Sequence, residues 1–226
     1  MDIKIFPSIL SCDFRFLKNE IKKIEKSGAD GIHIDIMDGH FVPNFSMGPK
    51  IVEAINKSTN LFLDVHLMMY NPFDYIERFI EMGADMISIH FEATENIEYL
   101  LKYIRRCGKK AGLVFNPETS ESMVVNFLDK CDQILFMTVH PGFGGQKFME
   151  KVLDKVEFTR NLCNSLRIKE SGISKKSKNF DIAVDGGINR ENSYRCIEMG
   201  ANVIISGSYL FSFKDMKKGV EQLRKR

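Results

Sequence analysis

Eight short runs of apolar and β-branched residues recur along the chain: KIFPSIL (4–10), GIHIDIM (31–37), LFLDVHL (61–67), MISIH (86–90), AGLVF (111–115), QILFMTV (133–139), FDIAVD (180–185) and NVIISGS (202–208). Their lengths and residue types predict strands. Between them the apolar positions switch to a helical period, as in Phe16, Leu17, Ile21 and Ile24, or Ile76, Phe79, Ile80 and Met82. Each such helix then has one apolar face to lay against a sheet. Three of these segments finish in the same small-residue signal, Gly28-Ala29-Asp30, Gly83-Ala84-Asp85 and Gly200-Ala201-Asn202, where glycine suits a left-handed helix cap. Strand and helix alternate over the whole length. The expected fold is therefore α/β, a (β/α)8 TIM barrel forming a single domain over 1–226, in preference to an open flavodoxin-like sheet. The polar stretch from Lys169 to Lys178 reads as a solvated loop before strand seven, and the basic end, Leu223 to Arg226, as a solvated helix terminus.

Barrel strands alternate between the interior and the helix layer, and reactive groups gather at their C-terminal ends. In strand two, Ile32, Ile34 and Ile36 form the row suited to the helices, which directs His33, Asp35 and Met37 inward. Strand three repeats this, with Leu63, Val65 and Leu67 on one face and Asp64, His66 and Met68 on the other, and strand seven ends in Asp185-Gly186-Gly187. An inward carboxylate costs several kcal/mol unless it is paired or bound to a cation, so this alternation points to a ligand site. His33, Asp35, His66 and Asp185 make a set of borderline softness, compatible with Zn, Fe, Mn or Co. His40, His90 and His140 are expected to be structural or solvent-facing and are left outside the site. Met37, Met68 and Met137, near three strand ends, read first as core filler.

Glycine-rich turns follow the last three strands: HPGFGGQKF, DGGI and SGS. Bare backbone at Gly144, Gly145, Gly187 and Gly207, with the hydroxyl of Ser208, suits an anion such as phosphate. The glycines on either side of Phe143 suit a loop that closes over a substrate.

Charge adds little to this picture. Lys plus Arg number 32 against 30 Asp plus Glu, a formal net charge of +2 that offers no global field to nucleic acid or to an anionic membrane. Five scattered cysteines without CxxC spacing suggest neither a disulfide framework nor a zinc knuckle, and fit a reducing compartment. The charged N-terminal stretch MDIKIFPSIL does not read as a signal peptide or membrane span, so the cytoplasm is expected.

In order and spacing, PSILSCDF, HIDIMDGHFVPN, DVHLM, FNPET, MTVHPGFGGQKF, VDGGI and SGS resemble the successive signatures of the ribulose-phosphate 3-epimerases, from Pro7 to Ser208. The resemblance implies that His33, Asp35, His66 and Asp185 hold one divalent metal ion per subunit, zinc ahead of iron, manganese or cobalt. It implies that Asp35 and Asp185 are also the acid/base pair. Ser8, His66, Gly142, Phe143, Gly144, Gly145, Asp185, Gly186, Gly187, Gly207 and Ser208 would contact a sugar phosphate, and Met37, Met68 and Met137 would line the reacting carbons. The implied reaction is inversion at C3, interconverting D-ribulose 5-phosphate and D-xylulose 5-phosphate through an enediolate, in a homodimer or higher homo-oligomer. A hexulose-phosphate 3-epimerase on the same barrel and a non-catalytic sugar-phosphate sensor are the alternatives. Cys12, His140 and the Lys-rich stretch depart from the family pattern, and none of them is a proposed ligand.

Overall fold

All eight apolar runs form strands: β1 (Lys4–Pro7), β2 (Gly31–Met37), β3 (Phe62–Met68), β4 (Met86–His90), β5 (Lys110–Phe115), β6 (Gln133–Met137), β7 (Asp181–Asp185) and β8 (Val203–Ser206). The computed structural model describes residues 2–166, 168 and 180–224; the polar stretch 169–178 and the last two residues of the basic end lie outside that set. Every strand pair is parallel, and the neighbours run in the order β1-β8-β7-β6-β5-β4-β3-β2. The ends of that order meet at a parallel bridge between Ser8 and His33, which brings β1 to β2 and makes the sheet a nearly closed (β/α)8 barrel.

Helices α1 (Leu17–Ser27), α2 (Pro49–Asn56), α3 (Phe73–Glu81), α4 (Ile97–Arg106), α5 (Leu153–Ser165), α6 (Arg190–Met199), α7 (Ser208–Phe211) and α8 (Met216–Arg224) fill the connections and the C-terminus. The fifth connection instead carries a 3₁₀ segment, Glu121–Asn126. In α1, Ile21 and Ile24 are buried as the periodicity requires, but Phe16 is not: it occupies the N-cap with a non-helical backbone and is 55% exposed. The apolar row Ile32, Ile34, Ile36, Leu63, Val65 and Leu67 belongs to one large core between strands and helices. A second apolar cluster, including Phe6, Leu135, Ala183 and Ile205, fills the barrel interior.

The repeated connector has a structural purpose. Gly28 and Gly200 are left-handed caps, and Gly83 also has positive φ. The acidic or amide residue that follows clasps the preceding strand twice. Asp30 accepts from Ile5 N at 2.8 Å and its own N–H donates to Ile5 O at 3.0 Å. Asp85 does the same to Leu63, Asn202 to Ile182, and Asp132, which lacks the glycine signal, to Ala111. Beneath them Lys4 Nζ donates to both oxygens of buried Asp181, at 2.9 Å each, tying β1 to β7. The basic end is not simply solvated, since Arg224 donates to Gly28 O and Asp30 Oδ2.

The β1–β2 join has almost no spare volume. A methyl group on Gly31 would lie 2.7 Å from the ring of Phe6 and 2.8 Å from the Phe62 carbonyl oxygen. Gly31→Ala is therefore expected to lower the unfolding free energy by ~1–3 kcal/mol through overpacking, with Phe6→Leu in the same chain recovering part of it. Urea unfolding measures both, and an unchanged midpoint for the single variant would show that the join has room to spare.

Candidate active site

Parallel register places the polar interior residues of β2 and β3 side by side: His33 pairs with Asp64, Asp35 with His66 and Met37 with Met68. Their outward neighbours are aliphatic, so each strand can bury a polar row inside and an apolar row outside with no change in backbone. Asp35 sits at the centre. Its Oδ2 accepts from the Ser8 hydroxyl at 2.6 Å, while Oδ1 lies 3.1 Å from His66 Nδ1 and 3.3 Å from His33 Nε2. Asp185 arrives from β7, its Oδ2 3.7 Å from His33 Nε2. One ligand atom from each of His33, Asp35, His66 and Asp185 lies within 4.8 Å of the others. Two imidazole nitrogens and two carboxylates, buried and converging in this way, fit a divalent ion of borderline softness.

The two carboxyls are driven in opposite directions. Burial disfavours ionisation of Asp35, but the positive charge on His33 and hydrogen bonds from His33 and His66 outweigh it and hold the carboxyl far below the usual range. For Asp185, burial dominates, and the negative charges of Asp35 and Asp64 add to it against the opposing pull of His33, so its pKa is pushed up to about 7. His33 is itself raised, because Asp35 and Asp64 overcome the burial that favours its neutral form.

Two residues left outside the sequence-derived site lie against it. His90, at the end of β4, is wholly buried, with Nε2 2.8 Å from His66 Nε2, and burial lowers its pKa to about 4. Asp64 bonds His33 Nδ1 at 2.8 Å through Oδ2. Asp64 stands opposite His33 in the register, and His90 lies two residues beyond Ser88, which stands opposite His66; that placement was their only signal. His40 and His140 are exposed, as expected.

Above the cluster a single cavity is lined by Ser8, Asp35, Met37, Met68 and Met137, with Gly142, Phe143, Gly144 and Gly145 on one side. Asp185, Gly186, Gly187, Gly207 and Ser208 complete its wall, together with Ser11, which the sequence did not single out. His33 and His66, both fully buried, stand behind Asp35 rather than in the lining. Glycine is required at 187, where φ is +64° and a methyl group would lie 2.6 Å from Gln146 O and 2.9 Å from Phe148 N. The loop after β6 is pinned by Gln146 Nε2, which donates to His140 O and Phe143 O, and by Asn44 Nδ2, which donates to Gly142 O at 2.6 Å. Phe143 at its tip is 53% exposed.

A parallel eight-stranded barrel with its ionisable cluster at the C-terminal strand ends is the architecture of a (β/α)8-barrel enzyme. The chain belongs to the ribulose-phosphate 3-epimerase family, whose model matches residues 4–211, and it is accordingly an epimerase. It is 47% identical to the ribulose-phosphate 3-epimerase of Chlamydia pneumoniae over 92% of this chain and 88% of that one. Identity to the Bacillus subtilis enzyme of the same name is 46%, over 98% of both chains. The chloroplastic ribulose-5-phosphate-3-epimerase of Arabidopsis thaliana is 40% identical over 99% of this chain and 76% of its own. Among solved structures, a 3-hexulose-6-phosphate synthase superposes with a TM-score of 0.66 at 14% identity, over 99% of this chain and 98% of that one. A tryptophan synthase α-subunit from Pyrococcus furiosus gives 0.67 at 17%, over 98% and 97%. At these identities the two structures share the fold alone. Among the described residues, no helix is long and apolar enough to cross a membrane.

The opposed carboxyl shifts are measurable in metal-free protein. Carboxyl 13C NMR is expected to show Asp185 titrating with a midpoint at about 7 while Asp35 stays ionised well into the acid range. Because the folded state holds the Asp185 proton more tightly than the unfolded chain, whose carboxyls titrate near ~4, this group makes stability fall as pH rises between those two values. Asp35 acts in the opposite sense, and its contribution is lost on acidification. An Asp185 midpoint in the ordinary carboxylate range would refute the assignment.

Proposed function

We propose that this protein inverts C3 of D-ribulose 5-phosphate to give D-xylulose 5-phosphate, using Asp35 and Asp185 as paired acid and base. The observation that carries this reading is the pair itself: two carboxyls reach one cavity from β2 and β7, and their surroundings drive one to ionise and the other to hold its proton. Ionised Asp35 removes the C3 proton, the C–H electrons pass into the C2 carbonyl, and an enediolate forms. Protonated Asp185 then delivers its proton to the opposite face of C3, so that the configuration inverts and the two carboxyls exchange protonation states. In the reverse reaction their roles interchange.

His33, Asp35, His66 and Asp185 would hold one divalent ion, with zinc ahead of iron, manganese or cobalt. When bound, such an ion supplies Lewis-acid stabilisation of negative charge on neighbouring substrate oxygens. Met37, Met68 and Met137 give the reacting carbons an apolar, water-poor lining, and Ser8 keeps Asp35 oriented through its hydroxyl. Backbone N–H groups of the glycine turns at 142–145, 186–187 and 207, with Ser208, would grip the phosphate and hold C3 in line with both carboxyls. A cytoplasmic location is supported by five cysteines that are all free thiols. The exposed rings of Phe73, Tyr75 and Tyr99 offer apolar area to a second copy, in keeping with a homodimer.

Removal of the bound metal is expected to abolish turnover, and readdition of a divalent transition metal to restore it; full activity in demonstrably metal-free protein would sink the metal reading. The two-carboxyl mechanism is tested in heavy water. Wild type places solvent deuterium at C3 of the product, whereas Asp35→Asn and Asp185→Asn each nearly abolish inversion, with any residual exchange favouring opposite epimers. Metal content is measured for each variant, because both residues are also proposed ligands. A metal-replete Asp185→Asn protein that epimerises at the wild-type rate would overturn the assignment.

A further inference from the structure

Strand β4 supplies none of the four cluster residues, yet two of its inward side chains, Ser88 and His90, reach the cluster from behind. With an ion held by the cluster, the nitrogens that face it, His33 Nε2 and His66 Nδ1, must present lone pairs, and the contacts behind the rings then fix where the imidazole protons sit. Asp64 Oδ1 accepts from the Ser88 hydroxyl at 2.7 Å, and Oδ2 faces His33 Nδ1 at 2.8 Å. A carboxylate only accepts, so His33 carries its proton on Nδ1 and turns the Nε2 lone pair toward Asp35 and Asp185.

The second chain runs through Glu92. Its Oε1 accepts from Asn116 N and the Thr119 hydroxyl, and its Oε2 lies 3.3 Å from His90 Nδ1. Glu92 therefore takes the proton of His90 at Nδ1, which leaves His90 Nε2 as an acceptor. That nitrogen lies 2.8 Å from His66 Nε2, so the proton between the rings belongs to His66, and His66 Nδ1 presents its lone pair to the cluster. The reverse arrangement would set the lone pair of His90 Nδ1 against a carboxylate oxygen and aim a proton on His66 Nδ1 at the ion.

We infer that Asp64 and His90, backed by Ser88 and Glu92, are positioning residues that lock the two cluster imidazoles in opposite tautomers, His33 protonated on Nδ1 and His66 on Nε2. The unprotonated nitrogens, His33 Nε2 and His66 Nδ1, are then held 3.3 Å apart, facing each other beside Asp35. Two lone pairs at that distance repel unless a proton or a cation lies between them, so the locked pair aims both nitrogens at the position a divalent ion would take. The sheet makes room for this device: Ser88 pairs with Gly112 of β5, where a methyl group would lie 2.3 Å from the Ser88 hydroxyl oxygen. The inference rests on the reading of the cluster as a divalent-metal site.

Cobalt(II) serves as the probe, its dissociation constant measured by competition with a chelating dye and its coordination by visible absorption. His90→Leu and Asp64→Leu are expected to weaken cobalt binding ~10–100-fold and to alter its absorption bands, the range typical of losing a partner behind a metal-binding histidine. His90→Gln, whose amide oxygen can accept from His66 Nε2–H, should return affinity and spectrum toward those of the parent, a rescue that a merely space-filling role would not require. Circular dichroism verifies that each variant is folded. Folded Leu variants that bind cobalt as tightly as the parent, or a Gln variant no better than Leu, overturn the inference while leaving the metal reading intact; a parent that binds no cobalt overturns both. Should the Leu variants not fold, 15N NMR of labelled histidines in the zinc-loaded parent decides. The expected protons are on Nδ1 of His33 and His90 and on Nε2 of His66, and a His90 protonated on Nε2 alone would overturn the proposal.

Discussion

Asp35 is buried, and both of its oxygens have close polar neighbours: Oδ2 the Ser8 hydroxyl, Oδ1 the imidazoles of His66 and His33. A buried carboxylate left unpaired would cost several kcal/mol, so these partners are conditions of folding. Ser8 follows β1 and Asp35 lies in β2, the two strands at which the barrel closes with one parallel bridge. The bond that orients the carboxylate is thus also a bond across the join. Reactive geometry and barrel closure cannot be adjusted separately here, because Ser8 cannot move away from Asp35 without opening the sheet.

The same economy extends around the cluster. Burial acts on both Asp35 and Asp185, but only Asp35 lies against both imidazoles, and that difference in neighbours separates two chemically identical groups. Behind the imidazoles stand Asp64 of β3 and His90 of β4, whose remaining polar atoms are met in turn by Ser88 and Glu92. In front, the glycine turns leave backbone open to the cavity, and hydrogen bonds from Gln146, Asn44 and Thr138 hold those turns in place. A polar interior of this kind is tolerable because the apolar core is carried elsewhere, between the strands and the helices.

Much of this was legible from alternation alone. Ile32, Ile34 and Ile36 could only face the helices, which left His33 and Asp35 no direction but inward, and the glycine turns announced themselves by composition. What escaped depends on which residue stands opposite which. Asp64 was visibly inward, but its bond to His33 follows from the pairing of β2 with β3, and His90 touches the cluster only because β4 lies beside β3. The Lys4–Asp181 pair joins residues 177 apart in sequence, and no local pattern marks it. Phe16 fitted the helical period of α1 but precedes its first turn, so the periodicity assigned it to a face it never reaches. The fourth clasp, at Asp132, was hidden because it follows a 3₁₀ segment and a cysteine instead of the Gly-Ala signal of the other three.

Those clasps bear on how the chain finds this arrangement. Each joins residues only 20 to 25 positions apart, and each pins the two strands that flank one connection before any distant strand is needed. The entropy lost in closing a loop rises by only ~0.6 kcal/mol per doubling of its length, so the Lys4–Asp181 contact, spanning three doublings more, costs about 2 kcal/mol beyond a clasp. Short-range closures of this kind lower the contact order of a fold whose parallel pairings would otherwise make it slow to assemble. The barrel is in that sense four short journeys, linked by the strand pairings between them and closed by one long one that ends where β1 meets its neighbours.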